Sequence, residues 1–280
     1  MKYFVCSDIH GFYDEWIDAL CDAGFELANP DHIIILCGDL LDRGPCPLEC
    51  LEFVCDLIDK SRIICIMGNH ELLLRDATVR NYFMPYDVSN GTVGTVSSLV
   101  NRDSNRLDKF GLYISDEQAL QEIFNHKLWN KYFDECLKRF YLETDHYIFV
   151  HSWVAYYPYS FDYPYNKDWR DDMTKNRNLY DEWHDQAVWG NPFKLWEDNG
   201  RKGIDGKTIV CGHWHTSWAH WIYNGYDTDF RDVIETMWLD SEGVEHPTVC
   251  HDIFYGNGII GLDACTVVSH QVNVLVLNEL

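Results

Sequence analysis

The sequence predicts an α/β protein built on a largely parallel sheet. Short apolar runs recur through the first part of the chain: Tyr3-Phe4-Val5-Cys6, Ile33-Ile34-Ile35-Leu36 and Ile63-Ile64-Cys65-Ile66-Met67. They read as buried strands. Each is followed by a polar loop and then by apolar residues at helical spacing, the grammar of strand–helix–strand units. Each loop carries ionisable or amide side chains, and ligand sites of such sheets lie at the carboxyl ends of the strands.

Taken in order, the first strand ends in Ser7-Asp8-Ile9-His10-Gly11. Phe12, Trp16, Ala19, Leu20 and Ala23 then fall at helical spacing, with Gly24 as a stop. The second strand, roughly 32 to 37, delivers Gly38-Asp39-Leu40-Leu41-Asp42-Arg43-Gly44. Pro47 can begin a helix with Leu48, Leu51, Val54, Cys55 and Ile58 on one face. The third strand ends in Gly68-Asn69-His70-Glu71, and a helix to about Arg80 follows. From Pro85 to about Asn105, Ser, Thr, Asn and Gly predict a loop or insertion. Ser115-Asp116-Glu117-Gln118 resembles a capping box and opens a helical region to about Leu142. Residues 85 to 142 are therefore expected to form a helical cap insertion beside the sheet.

Further on, Tyr147-Ile148-Phe149-Val150 delivers His151-Ser152-Trp153, and Thr208-Ile209-Val210-Cys211 delivers Gly212-His213-Trp214-His215. An aromatic, Pro-containing loop spans 156–165, and residues 219–248 read as an irregular insertion. Strands are expected near 252–255, 258–262 and 272–277. With no internal repeat and no low-complexity linker, residues 1–280 form a single domain.

Composition narrows the function. Hydrophobic residues make up 46% and charged residues 24%, as in a soluble globular protein. Against 45 Asp plus Glu there are 22 Lys plus Arg, a net charge of -23, which repels a polyphosphate backbone and argues against general nucleic-acid binding. No apolar stretch approaches the ~18 residues that span a bilayer, so no membrane role is expected. The start of the chain has no secretory pattern, and the 11 Cys read as reduced thiols of a cytoplasmic protein. Cys46, Cys50 and Cys55 share one helical stretch but lack the paired short spacing of a zinc site.

The polar groups at the strand ends are Asp8, His10, Asp39, Asp42, Arg43, Asn69, His70, His151, His213 and His215. Carboxylates at the mouth of apolar strands are too costly to bury unpaired. Mixed carboxylate, imidazole and amide donors suit Mn, Fe or Zn. They are too many for one ion, whereas two ions ~3.5–4 Å apart, bridged by a carboxylate and a water, would use them all. Two divalent ions less Asp8, Asp39 and a hydroxide leave a positive centre, suited to an anionic phosphoryl group. Arg43 adds a planar fork matched to phosphate oxygens.

These motifs, in this order from residue 7 to 215, resemble those of the calcineurin-like metallophosphoesterases. The Asp42-Arg43-Gly44 and Asn69-His70-Glu71 forms are similar to its phosphoprotein phosphatase branch, which includes bacterial and phage Ser/Thr phosphatases and diadenosine tetraphosphatases. Gly261-Leu262-Asp263-Ala264 is a weaker echo of a later family strand. The resemblance implies a sandwich of two mixed β-sheets flanked by helices. It also implies two divalent metals, with Mn expected first and Fe, Zn, Ni or Mg as alternatives. Asp8, His10 and Asp39 would hold the first metal, and Asp39, Asn69, His151 and His213 the second. His215 would contact the first, as in the wider superfamily, or line the rim. Arg43 would grip the phosphate with Asn69 and His70 beside it. His70, oriented by Asp42, would protonate the leaving group while a metal-bridging hydroxide attacks in line.

Three departures bear on the substrate. His151-Ser152-Trp153 stands where the branch usually has His-Gly-Gly, and Trp153 is expected to narrow or reshape the cleft. His215 follows Gly212-His213 where the branch has no second histidine. Trp189-Gly190-Asn191-Pro192 lacks the Arg of several bacterial relatives. The substrate is expected to be a phosphorylated protein or a small phosphoester. A Ser/Thr protein phosphatase-like phosphomonoesterase is the first reading, a symmetrical dinucleoside tetraphosphate or other nucleotide hydrolase the alternative, and an idle metal-binding module the non-enzyme reading. The aromatic loop serves packing, or stacks a nucleobase.

Overall fold

The structure is a computed structural model that describes residues 1–100, 115–155, 168–175, 182–226, 237–239, 245–247 and 249–280. The first third repeats the expected alternation: β1 (Lys2–Cys6), α1 (Tyr13–Asp22), β2 (His32–Leu36), α2 (Pro47–Asp59), β3 (Ile63–Cys65) and α3 (Asn69–Arg80). Among the described residues four helices follow, α4 (Pro85–Ser89), α5 (Thr92–Val100), α6 (Asp116–Phe124) and α7 (Lys127–Cys136). Then come β4 (Tyr141–Glu143), β5 (Tyr147–Val150), α8 (Trp169–Lys175), α9 (Glu182–Trp189) and α10 (Pro192–Asp198). The chain continues through β6 (Thr208–Cys211), α11 (Thr216–Asn224), the strand pair β7 (Met237–Leu239) and β8 (Glu245–Pro247), β9 (Phe254–Gly256), β10 (Ile259–Gly261), α12 (Thr266–Ser269) and β11 (Leu275–Leu277).

Two mixed sheets result. One has the order β11-β1-β2-β3, the other β4-β5-β6-β10-β9. Strands β1, β2 and β3 run parallel, as do β5, β6 and β10, while β11, β4 and β9 are antiparallel edges. Alternation along the strands sorts the core into two layers. Val5, Ile35, Phe149, Val210 and Ile260 come from both sheets and pack together between them. Phe4, Cys6, Ile34 and Leu36 face the other way, toward helical residues such as Trp16, Leu51 and Val54. Burial on both faces is why these strands are unbroken apolar runs. The parallel arrangement brings the carboxyl ends of β1, β2 and β3, and those of β5 and β6, to one edge within each sheet.

The structure corrects several local expectations. Residues 85 to 100 are helical. Pro85 starts α4 without needing its missing N–H, and Asp87 Oδ2 accepts the Met84 N–H at 2.7 Å. In α5 the buried Thr92, Thr95, Val96 and Leu99 mark a helical face that the small polar composition disguised. The helical region from 115 is two helices, broken at Asn125–His126, where His126 Nδ1 accepts the Trp129 N–H. The capping box at Ser115 and Gln118 is present in both directions. Trp129 and Tyr132 of α7 are continuous with the main core and pack beside α2, so α7 is a flanking layer of the sandwich. Part of the irregular stretch is the helix α11, ended by Gly225 at φ 79°. Trp153 is 1% exposed and lies in the core, so it fills the interior and does not narrow a cleft. The aromatic loop 156–165 lies outside the described residues. Cys50 and Cys55 are buried, and burial raises both thiols. No helix among the described residues is long and apolar enough to cross a membrane.

One surface cluster ties α8 to the sheet. Glu143 of β4 accepts the Arg170 fork at 2.7 and 2.6 Å and Lys207 Nζ at 2.8 Å. Hydrogen bonds from Arg170 lead in lowering its carboxyl from 4.5 to about 2. A depressed carboxyl stabilises the fold above its unfolded value and loses that contribution as pH falls toward the folded one. Glu143→Gln is therefore expected to cost about 1 kcal/mol at pH 7. The gap to wild type should close as pH falls from 4.5 toward about 2. Urea midpoints over a pH series measure this, and a pH-independent gap would exclude the ion pair as its source.

Candidate metal centre

The loops after β1 and β2 interlock. Asp8 N–H donates to Gly38 O, His10 N–H to Asp39 O, Gly11 N–H to Leu40 O and Gly44 N–H to His10 O. These bonds hold Asp8, His10, Asp39, Asp42 and Arg43 at φ between 52° and 73°, and His213 is at 66°. Non-glycine residues avoid this left-handed region at a cost of about 1 kcal/mol each, and such strain collects at functional sites. Glu71 fixes the Asp39 loop from beneath. Its Oε2 accepts the Asp39 and Gly68 N–H groups, and its Oε1 accepts Leu40 N–H and the Tyr132 hydroxyl. Two glycines permit the close approach: a Cβ on Gly68 would collide with Asp39 Oδ1, and one on Gly212 with Asp8 Oδ2.

Two groups of donor atoms form, His10 with Asp39 and His70, and Asp39 with His151 and His213. Within each, the atoms lie within 4.8 Å of one another. Asp39 belongs to both. Its Oδ2 is 3.4 Å from His151 Nε2 and 3.9 Å from the Nε2 atoms of His10 and His70. Asp8 Oδ1 is 3.9 Å from His10 Nε2, while Asp8 Oδ2 accepts Ser7 Oγ–H and the His213 N–H. His10 Nδ1 donates to Leu41 O at 2.9 Å, which leaves the Nε2 lone pair facing inward. His151 does the same through Nδ1 to Cys37 O at 2.8 Å, and its Nε2 is 2.7 Å from Asn69 Oδ1.

The donor set fits cations. Burial opposes ionisation of Asp39, but His151 and His70 outweigh it and hold the carboxyl well below its usual range. Burial, then Asp263, push Asp8 well above it. Burial lowers His151, yet Asp39 overcomes this and raises it to about 10. Burial, then His151, lower His213 to about 3, so its imidazole is neutral. The guanidinium of Arg43 stands 3.1 Å from both His10 Nε2 and His70 Nε2. Positive charge thus gathers wherever donor lone pairs converge, and divalent ions would supply it by displacing protons.

His70 differs from its neighbours. Its Nδ1 is 2.8 Å from Asp42 Oδ2, and its backbone N–H donates to Asp39 Oδ1. His215 lies in neither donor group; it is half-buried at the start of α11. The residues without a sequence-derived role are Glu71, Thr92, Thr95, Ser7 and Asp263. Glu71 had a readable signal, an acid three residues after the strand-ending Gly68. Thr92 and Thr95 reach Asp42 from 50 and 53 residues away, with no local signal.

A model of the calcineurin-like phosphoesterase family matches residues 1–245. The chain belongs to the calcineurin-like phosphoesterase family. This family uses a dinuclear metal centre. Among named relatives, the asymmetrical bis(5'-nucleosyl)-tetraphosphatase PrpE of Bacillus velezensis is 37% identical over 76 residues, which cover 25% of this chain and 30% of that protein. A symmetrical bis(5'-nucleosyl)-tetraphosphatase of Psychromonas ingrahamii is 40% identical over 74 residues, or 26% and 25% of the two chains. The chain therefore aligns with less than a third of either relative. The cold-active protein-tyrosine phosphatase of a psychrophilic Shewanella species superposes with a TM-score of 0.53 at 14% identity, covering 99% of this chain and 75% of that one. That likeness shows a shared fold.

Proposed function

We propose that this chain is a dimetal-dependent phosphoester hydrolase, acting as a Ser/Thr protein phosphatase-like phosphomonoesterase in the cytoplasm. The observation that carries this reading is Asp39, one buried carboxylate shared by two donor groups, with the His70–Asp42 pair and Arg43 beside it. Asp8, His10 and Asp39 would hold one ion, and Asp39, Asn69, His151 and His213 the other, with Mn²⁺ suited to the mixed nitrogen and oxygen donors. When bound, the ions supply Lewis acidity toward a phosphoryl oxygen and activate water. Arg43 binds the phosphoryl group through its fork. Asp42 orients His70, whose protonated Nε2 donates to the leaving-group oxygen. None of the eleven cysteines, all of them described, forms a disulfide, which supports a reducing compartment.

A second reading is hydrolysis of dinucleoside tetraphosphates, favoured by the names of the two partial relatives. Phosphate release measured in parallel from a phosphoserine peptide, a phosphothreonine peptide and diadenosine tetraphosphate, with Mn²⁺ added, separates the two. The first reading expects turnover of the peptides above that of the dinucleotide. The opposite order would replace it with the second. No turnover of any phosphoester, p-nitrophenyl phosphate included, by protein that retains two ions would sink both.

A further inference from the structure

We infer that the first turn of α5 positions the proton donor of the reaction, with Thr92 setting the orientation of Asp42 and thereby of His70. This rests on the role proposed above for His70. Asp42 is 0% exposed and sits at φ 73°, a conformation its surroundings must impose. Thr95 Oγ1 accepts the Asp42 N–H at 3.0 Å, which pins the backbone. The Thr92 hydroxyl donates to Asp42 Oδ2 at 2.8 Å, the same oxygen that meets His70 Nδ1 at 2.8 Å. Asp42 Oδ1 is buried with no hydrogen-bond partner among the described residues. Thr92 is thus the side chain that fixes the carboxylate plane, and the carboxylate fixes the ring.

The hydroxyl is committed to the site. Thr92 is the first residue of α5, directly after the turn that ends α4, and its proton goes to Asp42 Oδ2. Gly91, at φ 90°, backs onto the Arg43 backbone so closely that a Cβ would overlap it. The same turn therefore braces both the donor pair and the phosphate-binding arginine, from an insertion distant in sequence from either.

The step concerned is protonation of the leaving group. As the bond from phosphorus to the leaving oxygen breaks, its electron pair stays on that oxygen. The oxygen takes the Nε2 proton of His70. The oxygen of the attacking water bonds to phosphorus, its released proton passes to solvent, and a solvent proton later restores His70. A misoriented ring penalises leaving groups that need the proton and spares those that depart as stable anions.

Metal-loaded Thr92→Val, Thr92→Ser and His70→Asn would be compared on phenyl phosphate and p-nitrophenyl phosphate. Thr92→Val is expected to lower kcat on phenyl phosphate by roughly 10- to 100-fold, the usual effect of losing an outer-shell partner. The loss on p-nitrophenyl phosphate should be clearly smaller, with KM and metal content unchanged, and Thr92→Ser should restore most of the rate. Equal losses on both substrates, or no loss on either, would overturn the inference while His70→Asn keeps its leaving-group dependence. If His70→Asn itself lacks that dependence, the underlying reading of His70 fails first. Thr95→Val, which removes the backbone anchor only, gives an independent variant expected to show the same selective loss.

Discussion

Replacing Asp39 with Asn is expected to strip both ions from the protein and to lower kcat by at least ~10³-fold. Asp39 Oδ2 faces three imidazole nitrogens, and the residue belongs to both donor groups. Under the proposed assignment, removing its charge would take an anionic ligand from each ion at once. It also places amide N–H groups where lone pairs are needed. The ions contribute several kcal/mol of charge stabilisation to the transition state. About 4 kcal/mol corresponds to roughly three decades in rate. The fold should survive, because the loop is held through backbone groups: Glu71 accepts the Asp39 N–H, and His10 donates to Asp39 O. An amide oxygen can still accept the His70 N–H that Oδ1 accepts now. Metal content after dialysis, circular dichroism and kcat on p-nitrophenyl phosphate make the measurement. A folded Asp39→Asn protein with two ions and near-normal turnover would remove Asp39 from the centre.

Much of this donor cluster is legible in the sequence because its residues sit at strand ends. Ile33 to Leu36 announces a strand, and Asp39 follows where a parallel sheet exposes its ligand edge. The same logic singles out Asp8, Asn69, His151 and His213. It failed where a role depends on contacts between distant segments. Thr92 lies in a stretch rich in Ser, Thr, Asn and Gly, and that composition outweighed the buried spacing of Thr92, Thr95, Val96 and Leu99. Trp153 was misplaced for a related reason. A tryptophan next to His151 invites a place in the cleft, yet the chain after β5 is buried from 151 to 155 and Trp153 lies in the core. The second sheet was also harder to read than the first. Its strands β4, β9 and β10 have three residues each, too short for periodicity to separate strand from turn.

The second large effect is expected at His70. His70→Asn should lower kcat by roughly 10²- to 10⁴-fold, the range for loss of a positioned proton donor, with little change in KM. Both ions should remain. That last point decides between two roles, since the Nε2 atoms of His70 and His10 are each 3.9 Å from Asp39 Oδ2 and the two rings meet edge to face at 4.6 Å. Distance to Asp39 does not distinguish a ligand from an acid. The partners do. His10 Nε2 also lies 3.9 Å from Asp8 Oδ1, so it faces two carboxylates suited to share an ion. Its Nδ1 donates to a neutral carbonyl. His70 Nδ1 meets the Asp42 carboxylate at 2.8 Å, a partner that orients the ring. Metal analysis of His70→Asn beside His10→Asn tests the assignment directly. Loss of an ion from His10→Asn alone would fit His70 as the acid. Loss from both would make His70 a ligand, and the source of the leaving-group proton would have to be sought elsewhere in the cleft.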